Sequence, residues 1–181
     1  MPRVTLSNDA MERARRVRLL ALDVDGVLTD GSIMLDDHGV ETKRFNVRDG
    51  QGITAWIRMG YDVALITRRS GLALQHRARE LGITRIVQGS QNKAEAVERL
   101  LAETGLTAEQ IAYVGDDWPD LPALRRVGLP IAVGDADERV KSAAMVVTTA
   151  AGGRGAVREA IEAILGAQGM LEKAIGMFDV R

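Results

Sequence analysis

Apolar residues recur along this chain in short continuous runs, and the segments between them carry helical spacing. The runs predict strands at Arg18–Val24, Asp62–Thr67, Arg85–Gln88, Ile111–Val114, Pro130–Val133 and Met145–Thr148. Leu19 to Leu22 and Val63 to Ile66 contain no polar residue, the pattern of strands buried on both faces. Ile53, Trp56 and Ile57 stand at i, i+3 and i+4 and predict a helix that Gly60 ends. Ala94, Val97, Leu100 and Leu101 form a second apolar face closed by Gly105, and Thr107 with Gln110 has the form of a capping box. Strand alternating with helix predicts an α/β fold, a Rossmann-like parallel sheet flanked by helices, in one domain over residues 1–181.

Two segments depart from this rhythm. Residues 31–45 are too short and too polar for another strand-helix unit, and the stretches flanking Asp36 to Gly39 predict a β-hairpin directly after the first strand. At the other end, the last core helix is expected to finish near Gly166, leaving residues 167–181 as a C-terminal tail. Met170, Leu171, Ala174 and Ile175 have helical spacing, so the tail is either a helix packed on its own subunit or a mobile segment hinged at Gly166, Gly169 and Gly176.

Composition narrows the function classes. A chain of 181 residues with 46% hydrophobic and 27% charged residues is globular rather than disordered. A net charge of -1 argues against a nucleic-acid binder held by phosphate contacts. With no cysteine there is neither a disulfide framework nor a thiolate metal site. The N-terminal arginines are followed by no apolar segment, and no stretch is long and apolar enough to span a membrane. A cytoplasmic protein is the expectation.

The densest chemical signal is Leu22-Asp23-Val24-Asp25-Gly26. Residues two apart on an extended chain point the same way, so Asp23 and Asp25 can share a cleft at the carboxyl end of the first strand, where open α/β sheets place ligands. Thr67 ends a second strand, Lys93 opens a helix, and Gly115-Asp116-Asp117 follows a third strand, all at the same sheet edge. Taken singly, these residues also suit a polar turn, a helix cap and a solvated charge. Together they suit phosphoryl transfer. A carboxylate attacking a phosphate dianion needs a divalent cation to cancel like charge, and hard oxygen ligands suit Mg²⁺. Asp23, Asp116 and a backbone carbonyl at Asp25 could supply them. Lys93 and Thr67 would hold the phosphoryl oxygens, and Asp25 would act as acid and then base.

These four motifs, in this order, resemble those of the haloacid dehalogenase superfamily. The stretches Leu22 to Gly31, Phe45 to Gly50, Gln91 to Lys93, Tyr113 to Asp117 and Ala151 to Glu159 are similar to the 3-deoxy-D-manno-octulosonate 8-phosphate phosphatase family within it, over about residues 15 to 170. The resemblance implies a magnesium-dependent phosphatase acting on an eight-carbon keto-acid sugar phosphate in lipopolysaccharide sugar biosynthesis. It makes Asp23 nucleophile and metal ligand, Asp25 acid/base and carbonyl ligand, and Asp116 a metal ligand. It places Asn46, Val47, Arg48, Asp49, Gly50, Arg69, Arg77 and Lys93 against substrate. It also implies a capless core whose hairpin stands where a cap would be inserted, and a homotetramer whose neighbours cover each other's clefts. Nonulosonate 9-phosphates, of the sialic-acid type, are the alternative substrate. A phospho-receiver domain or a non-catalytic binding module is the alternative of another class, and a phosphomutase is a third rival that the missing cap disfavours. One departure stands out: Arg68 follows Thr67 where the family commonly has glycine, which would strain the loop if φ there were positive.

Overall fold

The computed structural model describes residues 4–179. Its centre is a six-stranded, all-parallel sheet of β1 (Leu19–Leu22), β4 (Asp62–Ile66), β5 (Arg85–Val87), β6 (Ile111–Gly115), β7 (Leu129–Ala132) and β8 (Val146–Val147). Its spatial order is β5-β4-β1-β6-β7-β8. The chain builds outward from β1 through β4 to β5, then returns to the other side of β1 as β6. That reversal leaves a crevice at the carboxyl ends of β1 and its neighbours, where side chains can converge on a ligand. All six predicted strands exist, each within one or two residues of its expected ends. Every residue of β1 is fully buried, so truncating Leu20 would cost about 2–5 kcal/mol.

Helices cover both faces. Helix α1 (Asn8–Arg16) is capped by Ser7 and packs with α7 (Ala156–Ala167), which in turn packs with α2 (Val47–Arg58). The α2 apolar stripe buries Trp56 completely, its indole N–H donating to Asp62 O at 2.9 Å. Helix α3 (Leu72–Leu81) follows β4, and α4 (Lys93–Thr104) packs with α5 (Leu121–Leu124). The short α6 (Glu138–Ala143) precedes β8. No helix among the described residues is long and apolar enough to cross a membrane.

The irregular segments also take shape. Residues 31–45 form the expected hairpin, with antiparallel β2 (Met34–Leu35) and β3 (Glu41–Thr42). Its turn is fastened by the Asp36 carboxylate, which accepts from the N–H groups of His38 and Val40. Ile33, Met34, Leu35 and Val40 all stand exposed on it. Of the two readings of the tail, the packed helix is the one found. Helix α8 (Leu171–Gly176) lies against α2 and α7, buries Ala174, and is followed by Phe178 beneath the Arg58 guanidinium at 5.2 Å. The last two residues of the tail lie outside the described residues.

Candidate active site

The chain leaves β1 at Leu22 and turns sharply at Gly26, whose φ of +92° is open to glycine alone at little cost. The turn is tight against its surroundings. A Cβ on Gly26 would fall 2.0 Å from Asp116 Oδ2, and one on Gly152 would fall 1.7 Å from Gly26 O. The Ala151–Glu159 stretch therefore presses directly on the loop that carries Asp25. It is held there by its own polar contacts: Glu159 accepts from the N–H groups of Thr149 and Ala150, and Gly152 N–H donates to Asp135 at 2.8 Å.

Asp23, Asp25, Thr67, Arg69, Lys93 and Asp116 all line one cleft of about 240 Å³ at the carboxyl edge of the sheet. Lys93, the first residue of α4, is buried and lies 2.8 Å from Asp23 Oδ1 and 2.5 Å from Asp120 Oδ1. Thr67 Oγ1 donates to Asp25 Oδ2 at 3.3 Å and accepts from Arg69 N–H. Asp120 stands just beyond Gly115 to Asp117 in sequence, where spacing gives it no role of its own. Its Oδ1 accepts from Lys93 and Tyr113, and its Oδ2 accepts from the N–H groups of Asp116 and Asp117. Four donors fill a carboxylate's capacity, so Asp120 is a strut that fixes Lys93 and the Asp116 loop. Its spacing after Gly115 to Asp117 was visible, but its burial was not.

Asp116 differs from Asp120 in that respect. Its Oδ1 is buried without any hydrogen-bond partner, and oxygens of Asp23, Asp116 and Asp120 gather within 4.8 Å of one another. Burial raises the Asp23 carboxyl to about 6, with the Asp120 charge adding to the rise and Lys93 opposing it. Burial likewise raises Asp116 to about 9, reinforced by Asp23 and then Asp120. Two carboxylates that resist ionisation together, one with an orphaned oxygen, fit a hard divalent cation. Asp23 and Asp116 have free capacity to ligate it; Asp120 does not.

The expected substrate contacts divide into two groups. Arg69 lies at the cleft, its guanidinium 3.1 Å from Glu41 of the hairpin. Residues 46–50 and Arg77 do not line this cleft. Asn46 caps α2 through Arg48 N–H and donates to Gly153 O at 3.2 Å. Asp49 is buried and accepts from the N–H groups of Gly155 and Arg158. Gly50 leaves room for Arg77, which reaches within 2.1 Å of where a Cβ would sit and lies over the Phe45 ring. Val47 and Arg48 are exposed, Arg48 on a separate depression shared with Arg154 and Arg158. Arg68 is unstrained, since no non-glycine among the described residues has positive φ, and its guanidinium donates to Gln91. His38 and His76 are both exposed and apart from the cleft.

A family model described as haloacid dehalogenase-like hydrolase matches residues 80–161. The chain is 47% identical to the 3-deoxy-D-manno-octulosonate 8-phosphate phosphatase of Yersinia pestis over 95% of its own length and 92% of that protein's. A crystal structure of the Yersinia pestis enzyme superposes with a TM-score of 0.91 over 92% of this chain and 90% of that one, at 47% identity. The Moraxella catarrhalis enzyme, solved in complex with magnesium ion, phosphate ion and a KDO molecule, superposes with a TM-score of 0.92 at 41% identity, over 95% of this chain and 99% of that one. With near-half identity across almost the whole of both chains, this protein belongs to the 3-deoxy-D-manno-octulosonate 8-phosphate phosphatase family of haloacid dehalogenase-like hydrolases.

Proposed function

We propose that this chain is a magnesium-dependent phosphatase that hydrolyses 3-deoxy-D-manno-octulosonate 8-phosphate to the free keto-sugar acid and inorganic phosphate. The observation that carries the reading is the buried Asp23 carboxylate, held at 2.8 Å by Lys93 beside the orphaned oxygen of Asp116. Magnesium held by Asp23, Asp116 and the Asp25 backbone carbonyl supplies the charge that lets a carboxylate approach a phosphate dianion. Asp23 attacks phosphorus and forms an aspartyl-phosphate while the ester P–O bond breaks. Asp25 gives its proton to the departing sugar oxygen. The resulting Asp25 carboxylate takes a proton from the water that then attacks the aspartyl-phosphate, releasing phosphate and restoring both residues. Lys93 and Thr67 hold the phosphoryl oxygens as their charge grows.

Arg69 binds the sugar acid within the cleft. Val47 and Arg48, which are exposed, contribute through assembly, whereas Asn46, Asp49, Gly50 and Arg77 serve the site indirectly by fixing the start of α2. The exposed apolar hairpin supports a homotetramer in which neighbours close each other's clefts. A fully active monomer in light scattering would overturn that assembly. Cytoplasmic lipopolysaccharide sugar synthesis is the setting that such a substrate fits. Phosphate release across a panel of keto-sugar phosphates, with Mg²⁺ and after EDTA, tests the activity. The octulosonate 8-phosphate should give the highest kcat/KM and EDTA should abolish release reversibly. A higher kcat/KM for a nonulosonate 9-phosphate would reassign the substrate.

A further inference from the structure

Lys43 stands at the base of the hairpin, two residues after Glu41, with a side chain only 5% exposed. Its Nζ donates to Asp25 Oδ1 and, at 3.1 Å, to Glu41 Oε1. Glu41 Oε1 also accepts from Arg69 Nε at 3.1 Å. The other oxygen of Asp25 is bound by Thr67. Both oxygens of Asp25 are thus fixed, one by Thr67 just after β4 and one from the hairpin. Nothing in the mechanism above uses Lys43, yet an ammonium is seldom buried unless its partners repay the lost hydration. Here the partners are Asp25 and the one carboxylate that bridges to Arg69.

We propose that Lys43 is a positioning residue for the reaction, holding the Asp25 carboxyl in the orientation that serves the leaving oxygen and seating the hairpin on the cleft in the same contact. The inference rests on Asp25 being the acid and base of the proposed reaction. An acid must lie within hydrogen-bond reach of the atom that it protonates, so freeing one of its two anchors lowers the rate without removing the group. The loss depends on the leaving group. A sugar alcohol departs poorly and needs the proton; an aryl oxide departs well and needs it less. Lys43 acts through Asp25, so its removal should copy the selectivity of an Asp25 variant at smaller amplitude.

The test compares Lys43→Met, Asp25→Asn and the unaltered enzyme on the octulosonate 8-phosphate and on an aryl phosphate, with saturating Mg²⁺. Lys43→Met is expected to lower kcat on the sugar phosphate by roughly 10- to 100-fold and on the aryl phosphate by less than about threefold. Asp25→Asn should show the same preference more strongly. If Asp25→Asn slows both substrates equally, the acid assignment itself fails. If Asp25→Asn discriminates and Lys43→Met slows both substrates alike, or neither, Lys43 does not position the acid. Should Lys43→Met not fold, Glu41→Gln removes one of the two carboxylates that seat the ammonium. It should show the same discrimination at a few-fold amplitude, and a uniform effect there overturns the proposal equally.

Discussion

Replacing Asp116 by asparagine should stabilise the metal-free protein while removing its response to magnesium. Asp116 takes up a proton on folding, because its carboxyl rises from 3.8 to about 9. A raised value means that its contribution is intact below pH 3.8 and is lost as pH climbs towards about 9. At pH 7 the ceiling for one such carboxyl is about 4 kcal/mol, at about 1.4 kcal/mol per pH unit. The cleft is open to water on one side, which brings the expected figure nearer 2 kcal/mol. Asparagine has nearly the same shape and no charge, so it recovers that amount and relieves Asp23 as well. For a chain of this size the gain corresponds to a Tm higher by about 4–8 °C in EDTA. The gap should close by about pH 4, where an ordinary carboxyl is half protonated in the unfolded chain. Magnesium at a hundred times its Kd should add about 2.7 kcal/mol to the unaltered protein and little to Asp116→Asn. Thermal melts of both proteins between pH 4 and 9, with EDTA and with Mg²⁺, read all of this. A lower Tm for Asp116→Asn in EDTA, or an equal response of both proteins to magnesium, would refute the assignment of Asp116 as a strained metal ligand.

Two further outcomes follow from the same geometry. Lys93→Met should reduce kcat on the order of 10²-fold or more, because the cation that faces the reacting carboxylate is gone. It should also lower Tm, since Asp23 and Asp120 both lose their buried partner; activity and melting measured on one preparation check the pair of effects. Deleting residues 168–181 should lower Tm by several degrees. The deletion removes the Gln168 amide that donates to Ala14 O and Val17 O, and it uncovers the α2 and α7 surface beneath Ala174. An unchanged Tm would show that α8 contributes nothing to the fold.

The centre of the sheet was legible because β1, β6 and β4 beyond Asp62 are buried on both faces and so carry apolar runs without interruption. The hairpin was legible for the opposite reason, as a polar break with a turn sequence at its centre. Asp23, Asp25, Thr67, Lys93 and Asp116 could be gathered from sequence because parallel strands place successive carboxyl ends at one edge. The roles of Asp120 and Lys43 could not, since each is defined by burial and by partners from other elements: Tyr113 on β6 and Lys93 on α4 for the first, Asp25 after β1 for the second. The stretch Asn46 to Gly50 shows a further limit. Sequence marked it as a substrate signature, but Asn46 and Asp49 spend their polar groups tying α2 to Gly153, Gly155 and Arg158. Such a stretch carries fold and site information at once, and spacing alone does not separate them. The tail had two readings because helical spacing is the same whether a segment packs or hinges. Only the apolar surface left open on α2 and α7 decides between them.

The central claim is that Asp23 becomes covalently phosphorylated in each turnover. Rapid acid quench of the enzyme with substrate carrying radioactive phosphate, followed by peptide mapping, measures this directly. Label should appear on the peptide that contains Asp23. It should persist longer in Asp25→Asn turning over an aryl phosphate, where the base that activates water is missing, and it should vanish in Asp23→Asn along with turnover. Continued phosphate release by Asp23→Asn within tenfold of the unaltered enzyme, with no label on that peptide, would contradict the account.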